Sequence, residues 1–168
     1  FIERHKDRPF FLYLPHFAVH TPLEAKAELI DHFKDKPPAG GHSNPVYAAM
    51  ITSVDQSVGR VLAKLDELKL SERTLVIFSS DNGGVGGYQR EGISAGGITD
   101  NAPLRGGKGT LYEGGVRGPY IFRWPGVIRP GAVCDEPINS VDLYPTLVEL
   151  AGAAPHPGYA LDGLSYLP

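Results

Sequence analysis

Asp81 and Asn82 stand side by side at the end of the apolar run Thr74–Ser80 and offer one charged and one neutral oxygen. Hard cations such as Ca²⁺ accept that pairing, but they take about six to eight oxygens, so most ligands to such an ion must come from elsewhere. The same pair serves equally well as an Asx turn closing a strand. Lys108 lies among glycines in Arg105-Gly106-Gly107-Lys108-Gly109-Thr110. Flexible backbone there can bring an ammonium against an anionic oxyester, although a solvated turn lysine has the same pattern. His20, in Val19-His20-Thr21-Pro22, has the chemistry of a general acid or of a donor to an anion. A structural histidine before a turn reads the same way.

Other patterns exclude chemistry. A phosphate-binding P-loop needs Ser or Thr after its lysine and a glycine at position 102, whereas Gly109 follows Lys108 and Ala102 occupies the other place. The dinucleotide fingerprint begun by Gly84-Val85-Gly86 is not completed at Gln89. Cys134, the single cysteine, has no adjacent base, so it reads as an inert thiol and rules out an internal disulfide. Asp55 is expected to make a polar contact or cap to a neighbouring loop.

These groups need elements to hold them. Pro9–Leu14 is a continuous apolar and aromatic run that fits a strand buried on both faces, leading to His16 and His20. Residues 22–35 predict a loop with a short helix. Asn44-Pro45 then supplies an N-cap and an N1 proline. After it Tyr47, Ile51, Val54, Val58, Val61, Leu62, Leu65 and Leu68 recur at helical spacing. Thr74–Ser80 predicts a second buried strand and Pro119–Trp124 a third. A last helix is expected from a cap at Asp142 through Leu150, stopped by Gly152. Strands alternating with helices indicate an α/β sheet domain, whose ligands gather at the carboxyl ends of strands. Ten glycines lie from Gly83 to Gly109, in a stretch long enough to be functional.

The totals agree. At 168 residues the chain is one domain or a large part of one, and it can bury roughly 70% of its unfolded surface. Hydrophobic residues make up 42% and charged residues 21%, which excludes a disordered chain. A net charge of −3 with scattered basic residues carries no nucleic-acid footprint, and no apolar run reaches membrane length. The opening Phe1–Asp7 is no signal peptide and begins mid-pattern, as does a sheet of three strands, so upstream sequence is expected.

Phe10-Phe11-Leu12-Tyr13 leading to His20-Thr21-Pro22, Leu75–Gly83, and Gly107-Lys108-Gly109-Thr110-Leu111-Tyr112-Glu113-Gly114-Gly115-Val116-Arg117 together resemble the sulfatase family. Asp142-Leu143-Tyr144-Pro145-Thr146-Leu147 and Leu161-Asp162-Gly163 match its pattern in the same order. The lysine-to-arginine block is highly specific, whereas Asp-Asn-Gly alone is weak. The resemblance, which is to arylsulfatase-like members of the alkaline-phosphatase superfamily, implies an α/β alkaline-phosphatase-like sheet flanked by helices and incomplete at the N-terminal side. Residues 1–168 would be a partial catalytic domain without the upstream nucleophile segment and the C-terminal subdomain. Asp81 and Asn82 are implied to complete a Ca²⁺ site (Mg²⁺ being the alternative ion), with Asp81 also near the nucleophile. His20 and Lys108 are implied to bind the sulfate and help the leaving oxygen depart. Glu113 and Arg117 would support the loop, and His16, which has no counterpart, is a candidate to face the substrate. A sulfated small molecule or glycan is the implied substrate, in a periplasmic, extracellular or lysosomal setting, with no nucleic acid and no membrane span.

The family's nucleophile is a formylglycine made from Cys or Ser in a Cys/Ser-x-Pro/Ala-x-Arg motif, and these residues contain no such motif. The implied reaction is attack of the aldehyde hydrate on sulfur, release of an alcohol, and collapse of the sulfated hydrate to sulfate and aldehyde. A phosphodiester or phosphonate-ester hydrolase of the same superfamily is the neighbouring reading, though such enzymes tend to carry Asp-His where Asp81-Asn82 stands. A non-catalytic sulfate-ester binder is the alternative outside enzymes. Selectivity would lie in loops such as Tyr88–Asp100.

Overall fold

In a computed structural model, which describes residues 1–86 and 98–167, short helices α1 (Ile2–His5) and α2 (Ala27–Phe33) precede the long helix α3 (Pro45–Glu67). The start of α3 is the one its sequence dictates. Asn44 Oδ1 accepts from the amides of Val46 and Tyr47, both at 3.0 Å, and Pro45 sits where a missing N–H does no harm. The 23 residues of α3 extend about 35 Å. Its far end closes with Lys69 in the left-handed region (φ 55°) and the Leu70 amide reaching back to the Leu65 carbonyl at 2.8 Å. That reversal folds Leu70 onto Leu65 and Ile2, and Phe10, Val61, Leu68 and Val76 pack around the three. α2 lies against α3.

Strands β1 (Val76–Ser79) and β2 (Tyr120–Arg123) pair antiparallel, with Val76 opposite Arg123 and Ser79 opposite Tyr120. The end of β1, and so the turn beginning at Asp81, lies beside the start of β2. Trp124 Nε1 donates to the Glu72 carbonyl at 3.0 Å and ties the exit of β2 to the segment before β1. The expected first strand is not one. Pro9–Leu14 is assigned to no strand, and Phe11, Tyr13 and Leu14 are 70%, 76% and 48% exposed rather than buried on both faces. A strand needs a neighbour for its amides and carbonyls, and among the described residues this run has no ladder partner, whatever its composition.

Residues 131–168 form a second compact unit. Its helix α5 (Leu143–Leu150) stops at Gly152 (φ 63°), as expected. The expected cap at Asp142 is displaced. Asn139 instead caps the 3₁₀ turn Ser140–Asp142 that leads into α5, and the Asp142 carboxylate accepts from the Asn139 amide at 2.7 Å. Its other oxygen accepts from the Leu164 amide at 2.9 Å. The buried Thr146 accepts from the Tyr166 amide at 2.9 Å, so the segment containing Leu161-Asp162-Gly163 returns onto α5. With one oxygen on the Asn139 amide and the other on the Leu164 amide, the carboxylate makes no cap bond to α5.

Candidate functional site

The β1 strand delivers an exposed Asp81 and a half-buried Asn82 into a turn stitched to the lysine loop by main-chain atoms. The Gly83 amide donates to the Gly115 carbonyl at 3.0 Å, and the Lys108 amide donates to the Gly84 carbonyl at 2.9 Å. On the far side the Gly114 amide donates to the Arg105 carbonyl at 2.8 Å, bringing the helical turn α4 (Glu113–Val116) against the same loop. Glycine is required by space here. A Cβ on Gly83 would overlap the Gly114 carbonyl oxygen, and one on Gly114 would overlap that of Gly106. Gly106 and Gly109, on either side of Lys108, hold φ of 75° and 89°, which side chains rarely adopt. Helix-breaking Gly114-Gly115 is thus the material that lets three backbones touch.

The side chains have matching freedom. Asn82 Nδ2 donates to the Gly83 carbonyl at 2.9 Å, leaving Oδ1 as a neutral oxygen donor. Among the described residues the Asp81 carboxylate and the Lys108 ammonium have no hydrogen-bond or ion-pair partner. Both charges are therefore held at the end of a fixed backbone and are open to a ligand. The two oxygens fit a hard cation in kind, and they are two of the six to eight or so that Ca²⁺ takes. No cluster of three or more His, Cys, Asp or Glu side chains suited to a metal occurs among the described residues.

His20 is exposed, with its ring 5.5 Å from that of Phe17. Its Nδ1 stands 2.8 Å from the Thr21 carbonyl oxygen, which only accepts, so Nδ1 carries the proton. Nε2 is then an acceptor in the neutral ring and a donor in the protonated one. Thus the structure joins Asp81, Asn82 and Lys108 through shared backbone. His20 shares no hydrogen bond or ion pair with them among the described residues.

The remaining candidates resolve individually. His16 Nε2 lies 2.8 Å from Ser57 Oγ on α3, a scaffold contact. Glu113 and Arg117 pair at 3.1 Å across α4, both largely exposed, so the bond contributes a few tenths of a kcal/mol at most, about what exposed pairs give. Asp55 is exposed on α3 and, among the described residues, meets no partner, contrary to expectation. Cys134 is free and exposed. Most of the Tyr88–Asp100 loop lies outside the described residues. Asn101 was legible from no motif, yet its amide reaches the Gly84 and Gly106 carbonyls. A lone amide flanked by glycine-rich segments is the only signal that could have marked it. No helix among the described residues is long and apolar enough to cross a membrane.

The chain is similar to known proteins in sequence and in fold. Residues 1–153 match the family model described as Sulfatase. A sulfatase of Formosa agariphila is 43% identical over 157 residues, covering 88% of this chain and 27% of that protein. The steryl-sulfatase of Mus musculus is 41% identical over 169 residues, covering all of this chain and 25% of that protein. Among solved structures, Ps i-CgsB in complex with k-i-k-neocarrahexaose superposes with a TM-score of 0.80 at 38% identity, over 94% of this chain and 32% of its own. The chain spans about a quarter of the length of the curated relatives it matches. The likeness fixes the fold as the α/β alkaline-phosphatase-like one.

Proposed function

The chain belongs to the sulfatase family, and we propose that the protein hydrolyses a sulfate monoester of a glycan or an aryl alcohol. The observation that carries this reading is the stitching of the Asp81-Asn82 turn to the Lys108 loop, which holds an open carboxylate and an open ammonium on one rigid frame. A sulfate ester would present its oxygens to the ammonium, and the carboxylate would help hold a cation that offsets their charge.

Asp81 and the Oδ1 of Asn82 would hold Ca²⁺, or Mg²⁺ in its place, together with oxygens from other residues. A cation there supplies charge stabilisation to the sulfuryl oxygens. Lys108 places its ammonium against those oxygens as charge builds on them; one well-placed donor of this kind is worth on the order of 3 kcal/mol. His20, protonated on both nitrogens, would donate from Nε2 to the departing alcohol oxygen while Nδ1 keeps the ring oriented on the Thr21 carbonyl. The attacking group comes from none of these residues, since they contain no Cys/Ser-x-Pro/Ala-x-Arg motif. The relatives include a steryl-sulfatase and a structure in complex with k-i-k-neocarrahexaose, which supports sulfated small molecules and glycans as the substrate class. A periplasmic, extracellular or lysosomal setting suits such substrates.

The test is hydrolysis by the full-length protein of an aryl sulfate and a sulfated oligosaccharide, beside an aryl phosphodiester and an aryl phosphonate. Sulfate release, lost with a chelator and restored by Ca²⁺, is the expected result. Preference for the phosphorus esters would move the protein to the neighbouring hydrolases, and calcium-dependent binding of the sulfate ester without turnover would make it a binder.

A further inference from the structure

Asn101 carries no charge, yet its side-chain amide sits where two stretches of main chain, Gly84–Gly86 and the loop at Gly106, meet. Its Nδ2 donates to the carbonyls of Gly84 at 2.9 Å, Gly86 at 2.9 Å and Gly106 at 3.0 Å. All three partners are acceptors, so the nitrogen and not the oxygen must face them, with two hydrogens shared among three oxygens. The Gly84 carbonyl is used twice, since it also receives the Lys108 amide. Gly84 is therefore the point at which the turn after Asn82 and the lysine loop are fastened together, and Asn101 supplies the second fastening. The pocket is shaped for it. A Cβ on Gly84 would come within 2.8 Å of Asn101 Oδ1 and 2.9 Å of Thr99 Oγ1. Thr99 is buried and accepts from the Gly86 amide at 2.5 Å, closing the frame on that side.

We propose that Asn101 is a positioning residue: it sets the spacing between the Asp81-Asn82 cation ligands and the Lys108 ammonium, and so the geometry in which a sulfate group is shared between them. This rests on the sulfate-ester reading above. Asn101 touches no substrate; it acts through Gly84 and Gly106, on the two sides of the site. Misplacing a stabilising charge by about 1 Å can lower a rate on the order of a hundredfold, so the spacing matters even if the fold survives.

Asn101→Asp tests it with almost no change of shape, because it turns an oxygen toward three carbonyl oxygens. Asn101→Ala removes the amide and serves if the aspartate variant does not fold. In the full-length protein, amide exchange at Gly83 and Lys108 is expected to quicken by about tenfold or more, as follows when the hydrogen bonds holding a loop weaken. Turnover of an aryl sulfate is expected to fall by roughly a hundredfold with Lys108 present, and by less than about threefold in a Lys108→Ala background, because coupled residues are not additive. A structural residue would give the same loss in both backgrounds, and that result overturns the proposal, as does unchanged exchange at Lys108. Should the wild-type protein turn over no sulfate ester, the functional reading falls by itself. The exchange rates then decide separately whether Asn101 holds the two loops together.

Discussion

The Lys108 amide donates to the Gly84 carbonyl at 2.9 Å, two residues beyond Asn82. A lysine more than twenty positions downstream in sequence is thereby set beside the strand end that presents Asp81. Among the described residues both side-chain charges are unpaired, and their backbones are joined.

If Asp81 and Asn82 share a cation, their removal should differ in degree. The aspartate brings a full charge and the amide only a dipole. Asp81→Ala is expected to lower turnover by on the order of a thousandfold and Asn82→Ala by about tenfold, within the range that loss of charge stabilisation produces. Steady-state rates at saturating Ca²⁺ decide, and equal losses would argue against a cation at this pair.

Glycine substitutions should split by position. Gly83→Ala forces a methyl into the Gly114 carbonyl oxygen and is expected to destabilise by roughly 1–3 kcal/mol or more. Gly59, on α3 with nothing within 4 Å of a new Cβ, should gain about 0.5–1 kcal/mol as alanine. Thermal melts of the two variants should move in opposite directions, and a fall in both would mean α3 is not the helix described.

Lys64 links α1 to α3 through Glu3 at 2.9 Å while also bonding Glu67 at 2.6 Å. The hydrogen bond from Lys64 holds the Glu3 carboxyl below its ordinary value, and the bonds to Glu67 and Glu3 push the Lys64 ammonium above its own. A lowered carboxyl stabilises the fold above its unfolded pKa and loses that contribution as pH falls through the folded one. A raised lysine contributes below its unfolded pKa and loses this as pH rises through the folded one. The gap in Tm between wild type and Glu3→Gln should therefore persist across neutral pH and close in acid. A gap that widened in acid would reverse the assignment.

A protein made of these 168 residues alone is expected to release no aryl alcohol from an aryl sulfate, since these residues contain no Cys/Ser-x-Pro/Ala-x-Arg motif and the roles proposed for Asp81, Asn82, Lys108 and His20 are to position and stabilise. The assay needs a folded sample by circular dichroism and a nitrophenyl sulfate. Turnover at the rate of a whole sulfatase, abolished by Lys108→Ala, would show that a nucleophile had been overlooked.

Elements whose causes are local were legible from residues alone. Asn44-Pro45 announces α3 because the cap and the first-turn proline act within four residues. Asp81, Asn82 and Lys108 each read alone as a turn residue too, and they stand out as candidates only through the ordered sulfatase-like blocks around them. Causes that lie across the chain were hidden. Phe11 and Tyr13 have strand composition, but a strand is made by its neighbour. Asp142 has a cap's chemistry but spends it on the amides of Asn139 and Leu164. Asn101 is one polar residue in a loop until its three carbonyl partners are placed around it.

The site frame is made largely of amides and carbonyls, which every residue type but proline carries, and this divides mutational tolerance sharply. Gly83, Gly84, Gly86, Gly114 and Gly115 leave no volume for even a methyl group without displacing a neighbour. A few residues away Leu111 is 95% exposed, and its side chain holds nothing in place. A saturation library across residues 83–86 and 98–117 should accordingly sort into two populations with little between them: these glycine positions, at which nearly every variant is dead, and rim positions at which nearly every variant lives. The rim would then be free to diversify toward new esters while the scaffold beneath it stays the same.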